Sequence, residues 1–287
     1  MEASNDLMIN QGADAFFDLA AAKKCFRPRL ANSHKGTYGH ALLIAGNHGK
    51  MGAAVIAAKA CLRAGAGLLT VGIPENTAAI FHTVLPEAMV LDREQESINY
   101  PQYQSIGIGP GLGMDSFSIN QVAAVVASVT KAIVFDADAL NILSAHKDLL
   151  QLVPKNAILT PHPKEFDRLF GLFENDAQRR EKALMLSKEF GWVIVLKGHQ
   201  SFVAADGIGT LNTTGNTGLA KGGSGDCLTG IITALLAQGY EAAIATRLAV
   251  FLHGLAADLA LENQSMESLL VTDVIESLGK AFKMLQP

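Results

Sequence analysis

The chain has 287 residues, 49% hydrophobic and 17% charged, which is ample for a packed core and excludes intrinsic disorder. A net charge of −4, with no basic stripe and no interleaving of aromatic and basic residues, argues against nucleic acid as a partner. No apolar run reaches the roughly 18 residues of a membrane span, the start Met1-Glu2-Ala3-Ser4-Asn5-Asp6 is acidic, and Cys25, Cys61 and Cys227 form no CxxC, so the expectation is a cytoplasmic chain without leader, membrane anchor, disulfide frame or zinc site.

In chain order, short apolar runs followed by Gly, Pro, Asn or Asp predict strands over 41–45, 68–71, 88–91, 105–108, 132–135, 157–159 and 193–196. Helical patterns over 53–64, 116–128 and 176–190 lie between many of them. That alternation predicts an α/β fold with a mostly parallel central sheet and helices on both faces. Ligands in such sheets bind beyond the carboxyl ends of the strands. From Gly198 the pattern changes. Runs over 200–204 and 209–212 flank Asp206-Gly207, a tight-turn dipeptide, and predict a β-hairpin. A glycine-rich stretch follows, and then helices over 228–237, 242–261 and 271–284. No Pro- or Ser-rich linker, low-complexity segment or internal repeat divides the chain, so one domain over 1–287 is the simplest reading.

The stretch Gly215-Asn216-Thr217-Gly218-Leu219-Ala220-Lys221-Gly222-Gly223-Ser224-Gly225-Asp226 carries the most chemical information. Glycines let successive backbone N–H groups converge on an anion, and the start of a helix adds free donors and partial positive charge. Gly222, Gly223, Ser224 and Gly225 therefore form a candidate anion hole for a phosphate. Asp226 is an odd neighbour for an anion, because a bound phosphate repels it. It makes sense as the base that takes the proton of a hydroxyl attacking that phosphate, against the plainer reading of a helix cap. A Walker A loop does not fit, because Lys221 precedes the glycines, and 107–113 has the wrong spacing for a dinucleotide fingerprint. The nucleophile elbow G-x-S-x-G nearly fits 222–226, but Asp226 stands where its last glycine should be.

That stretch resembles the signature of the ADP/ATP-dependent NAD(P)H-hydrate dehydratases, carbohydrate-kinase-like repair enzymes with a ribokinase-like fold. Further motifs stand in the family's order: His34-Lys35-Gly36-Thr37-Tyr38-Gly39-His40, Gly46-Asn47, Gly52-Ala53-Ala54, Gly109-Pro110-Gly111-Leu112-Gly113, Asp136-Ala137-Asp138-Ala139-Leu140-Asn141, Thr160-Pro161-His162-Pro163-Lys164-Glu165 and Leu196-Lys197-Gly198. The resemblance implies dehydration of the S epimer of NADH or NADPH hydrate, by phosphorylating the ring hydroxyl from ADP or ATP and then eliminating phosphate. It implies Asp226 as base and substrate contact, with Ala53 or Ala54, Gly111 and His162 lining the hydrate site. Gly225 and the loop Lys197-Gly198-His199-Gln200-Ser201 would line the nucleotide site. Mg²⁺ is implied with the phosphates, held by phosphate oxygens and water rather than by a protein cage. The resemblance also implies a homo-oligomer, tetrameric in the family. Nothing resembling the family's fused epimerase domain precedes His34, which implies a separate epimerase. A small-molecule kinase of the same fold, and a nucleotide-binding regulator without turnover, are the alternatives.

Other residues divide between chemistry and architecture. Asp136 and Asp138 could hold Mg²⁺ or orient a phosphate, or Asp138 could cap the following helix. Lys35 could meet a substrate phosphate or be solvated surface, and Lys221 adds positive charge beside the glycines. Glu165 is expected to charge or cap the start of its helix. His253 and Asp258 read as core packing rather than a metal pair, and Cys227 as a small core residue.

Overall fold

The computed structural model describes residues 15–94 and 97–286; the acidic start read as leaderless lies outside them. In chain order the elements begin with β1 (Ala15–Phe17), α1 (Leu19–Cys25), β2 (His40–Ile44), α2 (Met51–Arg63), β3 (Leu68–Ile73), α3 (Ala78–Val84) and β4 (Met89–Asp92). The middle of the chain forms β5 (Ser105–Ile108), α4 (Ser116–Ser128), β6 (Ile133–Phe135), α5 (Ala137–Ala145), α6 (Lys147–Gln151), β7 (Ile158–Leu159), α7 (Pro163–Phe170) and α8 (Asp176–Phe190). Then come β8 (Val193–Leu196), β9 (Phe202–Ala205), β10 (Ile208–Asn212), α9 (Ser224–Ala237), α10 (Ala242–Ala260) and α11 (Val271–Leu285).

Among the described residues ten strands join in one sheet, in the order β1-β10-β9-β8-β7-β6-β5-β2-β3-β4. Pairing is parallel from β4 to β8, and β9 runs antiparallel to both β8 and β10. The sheet is thus mostly parallel, as the alternation of runs predicts. The hairpin forms where expected: Asp206 and Gly207 both have positive φ (+52° and +76°), as a two-residue primed turn requires. Sequence reading misses β1, which pairs parallel with β10 and places Phe16 opposite Leu211.

Each face of the sheet has its own apolar layer. Alternate residues of β2 go to opposite sides, Leu43 with α2, α9 and α10, and Leu42 and Ile44 with α4, α5 and α7. Helix α9 is the central packing element; its residues from Cys227 to Ala237 are all buried. It lies so close to α2 that a Cβ on Gly230 would stand 2.1 Å from the carbonyl oxygen of Ala57.

Helix α10 corrects the hydropathy expectation. Its 19 residues are long and apolar enough on composition to cross a membrane, with a mean hydropathy of 1.4. The side chains of Leu248, Ala249, Leu252 and Ala256 are fully buried in the fold, which identifies a core helix. Cys25, Cys61 and Cys227 are free thiols, and Cys61 and Cys227 are wholly buried.

Candidate active site

The glycine turn runs from the hairpin into the first turn of α9, where Gly223 caps the helix at φ +94°. A side chain there would be strained and would press its Cβ to 2.8 Å from Ile56 Cδ1. The N–H groups of Gly222, Gly223, Gly225 and Asp226 find no acceptor among the described residues, and that of Ser224 reaches the Lys221 carbonyl only at 3.4 Å. These are the orphan donors of a helix start, aimed where an anion would be held.

Asp226 occupies the first turn of α9, and its carboxylate accepts no hydrogen bond from any described residue. The cap reading is therefore excluded, since a cap would take a backbone N–H. Burial pushes its carboxyl up to about 6, and nearby Asp136 pushes the same way against the pull of Lys197. A carboxylate poised near neutrality is suited to accept a proton from a hydroxyl.

Beneath the turn lies a charged cluster. Asp136, at the end of β6 and 1% exposed, accepts hydrogen bonds from Lys197 Nζ at 2.7 Å, Thr160 Oγ1 at 2.8 Å and Thr229 Oγ1 at 2.8 Å. Burial alone would raise its carboxyl, but Lys197 and the two hydroxyls hold it below the ordinary range. Both of its oxygens are committed to protein donors. Lys197 also stands 3.9 Å from Glu165 Oε2, and its side chain remains 21% exposed toward the site. Ala137, between the two aspartates, is held at φ +48°, a costly geometry for an alanine of the kind that gathers at functional sites.

A cavity of about 740 Å³ opens beside the turn. Its lining includes Lys197, Gly198, His199, Ser201, Gly222, Ser224 and Gly225, so most of the expected nucleotide loop and anion hole come together. Gln200 instead faces a smaller cavity beside Arg179 and Phe202. His162 lines the large cavity too, separately from Ala53 and Gly111. It caps α7: its Nδ1 accepts from the N–H groups of Lys164 and Glu165, while Glu165 Oε2 accepts from the His162 N–H at 2.8 Å. The capping expected of Glu165 is thus observed. Burial and the Lys197 charge lower His162's pKa, so its imidazole is neutral at neutral pH.

Gly111 and Ala53 form a second group. A Cβ on Gly111 would meet Ala53 Cβ at 3.0 Å, so these two face each other across the loops after β2 and β5. Ala54 is wholly buried and turned toward Gly46, which leaves Ala53 as the half-exposed member of the pair. Asp138 does not cap α5. It accepts the Gly113 N–H at 2.8 Å and meets Lys50 Nζ at 3.4 Å, tying these loops together.

Three further expectations resolve. Lys221 lines the cavity beside the glycine turn, with its ammonium donating to the carbonyls of Glu267 and Leu269. Asp258 holds the Gly215 N–H and the Asn216 side chain, while His253 points to Ser224 Oγ at 3.5 Å, so the two form no metal pair. No cluster of three metal-ligating side chains occurs among the described residues. His253 lines the cavity, and burial lowers its pKa to about 4, so it stays neutral. A histidine amid apolar residues on α10 offered no sequence signal for this. The Ser224–His253 approach does not make 222–226 a nucleophile elbow, because a 3-10 turn, not a strand, precedes Ser224 and Asp258 does not orient the imidazole.

Gly225 allows a direct test of the anion hole. A Cβ there would sit 3.2 Å from Lys197 Nζ and 3.4 Å from Asp136 Oδ2, tight but tolerable. Gly225→Ala should fold, since alanine favours a helix by about 1 kcal/mol over glycine. It should raise the KM for nucleotide at least about tenfold, the effect of about 1.4 kcal/mol lost at the phosphate. An unchanged nucleotide KM in the folded variant would place the phosphate elsewhere.

Residues 41–280 match the NAD(P)H-hydrate dehydratase family. The chain belongs to that family. It is 38% identical over 272 residues to the ADP-dependent (S)-NAD(P)H-hydrate dehydratase of Bacillus subtilis, covering 90% of this chain and 94% of that one. It is 35% identical to the bifunctional NAD(P)H-hydrate repair enzyme of Moorella thermoacetica over 90% of its own length, but spans only 52% of that longer protein. Among solved structures, the Bacillus subtilis ADP/ATP-dependent NAD(P)H-hydrate dehydratase co-crystallised with ATP/Mg²⁺ superposes with a TM-score of 0.84 at 33% identity, covering 95% of this chain and 99% of that one. The fold is ribokinase-like.

Proposed function

We propose that the chain dehydrates the S epimer of NADH hydrate and NADPH hydrate at the expense of ADP or ATP, a repair reaction. The observation that carries this reading is the Asp226 carboxylate, which accepts no hydrogen bond from a described residue, stands next to Gly225 of the cavity lining and the unbonded N–H groups of the turn, and feels the charge of Asp138, which holds the Gly113 N–H. The nucleotide would lie in the cavity with its terminal phosphate on those N–H groups and on Lys197. The hydrate would lie by Ala53 and Gly111, its ring hydroxyl toward Asp226. His162, which lines the cavity beside Lys197, would meet the hydrate from that side.

Asp226 takes the hydroxyl proton as the hydroxyl oxygen bonds to the terminal phosphorus and the nucleotide's bridging oxygen leaves. The phosphorylated ring then loses phosphate with its C–O bonding pair, and the adjacent carbon gives a proton to the departing phosphate or to water while its C–H pair forms the double bond, restoring the dihydropyridine. Phosphate is a far better leaving group than hydroxide, which is why a nucleotide is consumed. The fixed N–H donors and Lys197 meet charge on the transferring phosphoryl oxygens; losing such a donor costs about 3–4 kcal/mol in comparable anion holes.

The residues fit a Mg²⁺ that arrives with the nucleotide. Asp136 is filled by protein donors and Asp138 is engaged by Gly113 and Lys50, so phosphate oxygens and water would supply the ion's ligands. When bound, the ion would neutralise phosphate charge. The three free thiols fit a reducing compartment such as the cytoplasm.

The test follows the absorbance of the dihydronicotinamide ring with NADH hydrate, Mg²⁺ and either ADP or ATP. A nucleotide-dependent rise is expected and identifies the donor. A flat trace with both donors, from folded protein, would favour the kinase reading and direct the search to hydroxylated vitamins.

A further inference from the structure

Arg93, just past β4, is the largest wholly buried side chain, only 2% exposed. No carboxylate of a described residue lies within ion-pair distance of it, although the charges of Glu94, Asp115 and Asp92 favour it from farther off, and its Nε has no hydrogen-bond partner among the described residues. A buried cation without an ion pair is costly, and apolar replacements of such groups are often neutral or stabilising. Packing does not account for a guanidinium here.

Its position does. The strand order β5-β2-β3-β4 puts Arg93 at the carboxyl end of the edge strand, and its backbone N–H continues the pairing by donating to Ile73 at 3.0 Å. From there the side chain crosses the carboxyl ends of β3 and β2. Its Nη1 lies 3.5 Å from the Ala45 carbonyl oxygen and its Nη2 lies 3.4 Å from that of Leu112. The Leu112 carbonyl also accepts from Asn47 Nδ2 at 2.9 Å and Ser118 Oγ at 2.8 Å. Ala45 precedes the turn into α2, and Leu112 stands between Gly111 and Gly113. The guanidinium therefore underlies the loop that leads into α2, whose first turn carries Ala53, and the loop that carries Gly111, the two residues that stand face to face.

We propose that Arg93 is a positioning residue for the hydrate side of the active site, clamping the β2 and β5 loops from beneath so that Ala53 and Gly111 keep the spacing the substrate needs. This rests on the reading of Ala53 and Gly111 as hydrate contacts. The nucleotide cavity is lined from β7, β8, β10, α9 and α10 and their loops, so Arg93 acts on one substrate and not the other.

The experiment compares wild type, Arg93→Met and Arg93→Lys in steady state, varying NADH hydrate and nucleotide separately, with thermal unfolding of each. Arg93→Met is expected to raise the hydrate KM about tenfold, since a displacement of about 1 Å can cost up to about a hundredfold. Nucleotide KM should stay within about twofold, and Tm should hold or rise as the unpaired charge is removed. Arg93→Lys keeps one donor and should recover part of the hydrate KM. An unmoved hydrate KM in either folded variant overturns the proposal, as does a parallel loss in both KM values with a falling Tm. Should Arg93→Met fail to fold, Arg93→Lys alone decides it, by whether hydrate KM rises with nucleotide KM fixed. A wild-type chain inactive on NADH hydrate would overturn the functional reading and this proposal with it, whereas active wild type with unmoved variants overturns this proposal alone.

Discussion

Asp226→Asn is expected to lower turnover of NADH hydrate by about 10²–10⁴-fold, the usual worth of a positioned general base, while leaving the chain folded. The fold should survive because the Asp226 carboxylate accepts no hydrogen bond from a described residue that Asn would lose. The electrostatics point the same way. Burial pushes its carboxyl up to about 6 from the ordinary carboxylate range, so its favourable contribution belongs to the protonated form, present below about pH 4 and lost as pH rises through about 6. At neutral pH the buried negative charge is a cost that Asn removes, offset in part by a favourable position at the helix start worth about 0.3–1 kcal/mol. Because the base must be ionised to work, wild-type kcat/KM should fall about tenfold per pH unit below about 6, and the residual activity of Asp226→Asn should lack that limb. Rates across pH 5–8 in both proteins, with unfolding curves alongside, check this. Full-speed turnover by the variant would remove Asp226 from the chemistry and point to a different base.

The residues that carry local chemistry were legible in the sequence, and those that depend on neighbouring strands were not. Strands β2 to β8 announce themselves as short apolar runs, and Asp206-Gly207 announces its hairpin, because period and turn chemistry are local. The glycines before Asp226 are equally local, since a helix start with free N–H groups needs nothing from elsewhere in the chain. Strand β1 has three residues, too few for a periodic signal, and exists through its pairing with β10. Lys221 reads only as positive charge beside the glycines, and the carbonyls of Glu267 and Leu269 that hold its ammonium come from nearly fifty residues later in the chain. The resemblance groups His162 with Ala53 and Gly111, and no local signal says how they meet: β7 neighbours β8, so the His162 loop meets Lys197, while β2 and β5 bring Ala53 to Gly111. Thr229 reads as one more residue of an apolar helix. Only the packing of α9 over β6 gives it Asp136 to bind.

That buried contact leads to the other large effect. Asp136→Asn should cost about 3–5 kcal/mol of stability, the range for breaking a buried ion pair by removing one partner. Lys197 would lose its 2.7 Å carboxylate, and the amide would turn an N–H toward one of the donors that Asp136 now satisfies, Thr160, Thr229 or Lys197 itself. Glu165, 3.9 Å from the ammonium, can recover part of the pairing, and the partial exposure of Lys197 softens the loss, so the lower end of the range is expected. Since Asp136 is held below its ordinary pKa in the fold, its contribution is present above the unfolded value near 4 and lost as pH falls through the lower folded value. The stability difference between variant and wild type should therefore shrink in acid. The same substitution should act on the reaction through Asp226. Removing the Asp136 charge takes away a group that pushes the Asp226 carboxyl up, and frees Lys197 to pull it down. Both changes move the acid limb of kcat/KM to lower pH. Denaturant unfolding and pH–rate profiles measured together decide the matter: a variant as stable as wild type would show that the pair is not a structural anchor, and an unmoved acid limb would show that Asp136 does not tune the base.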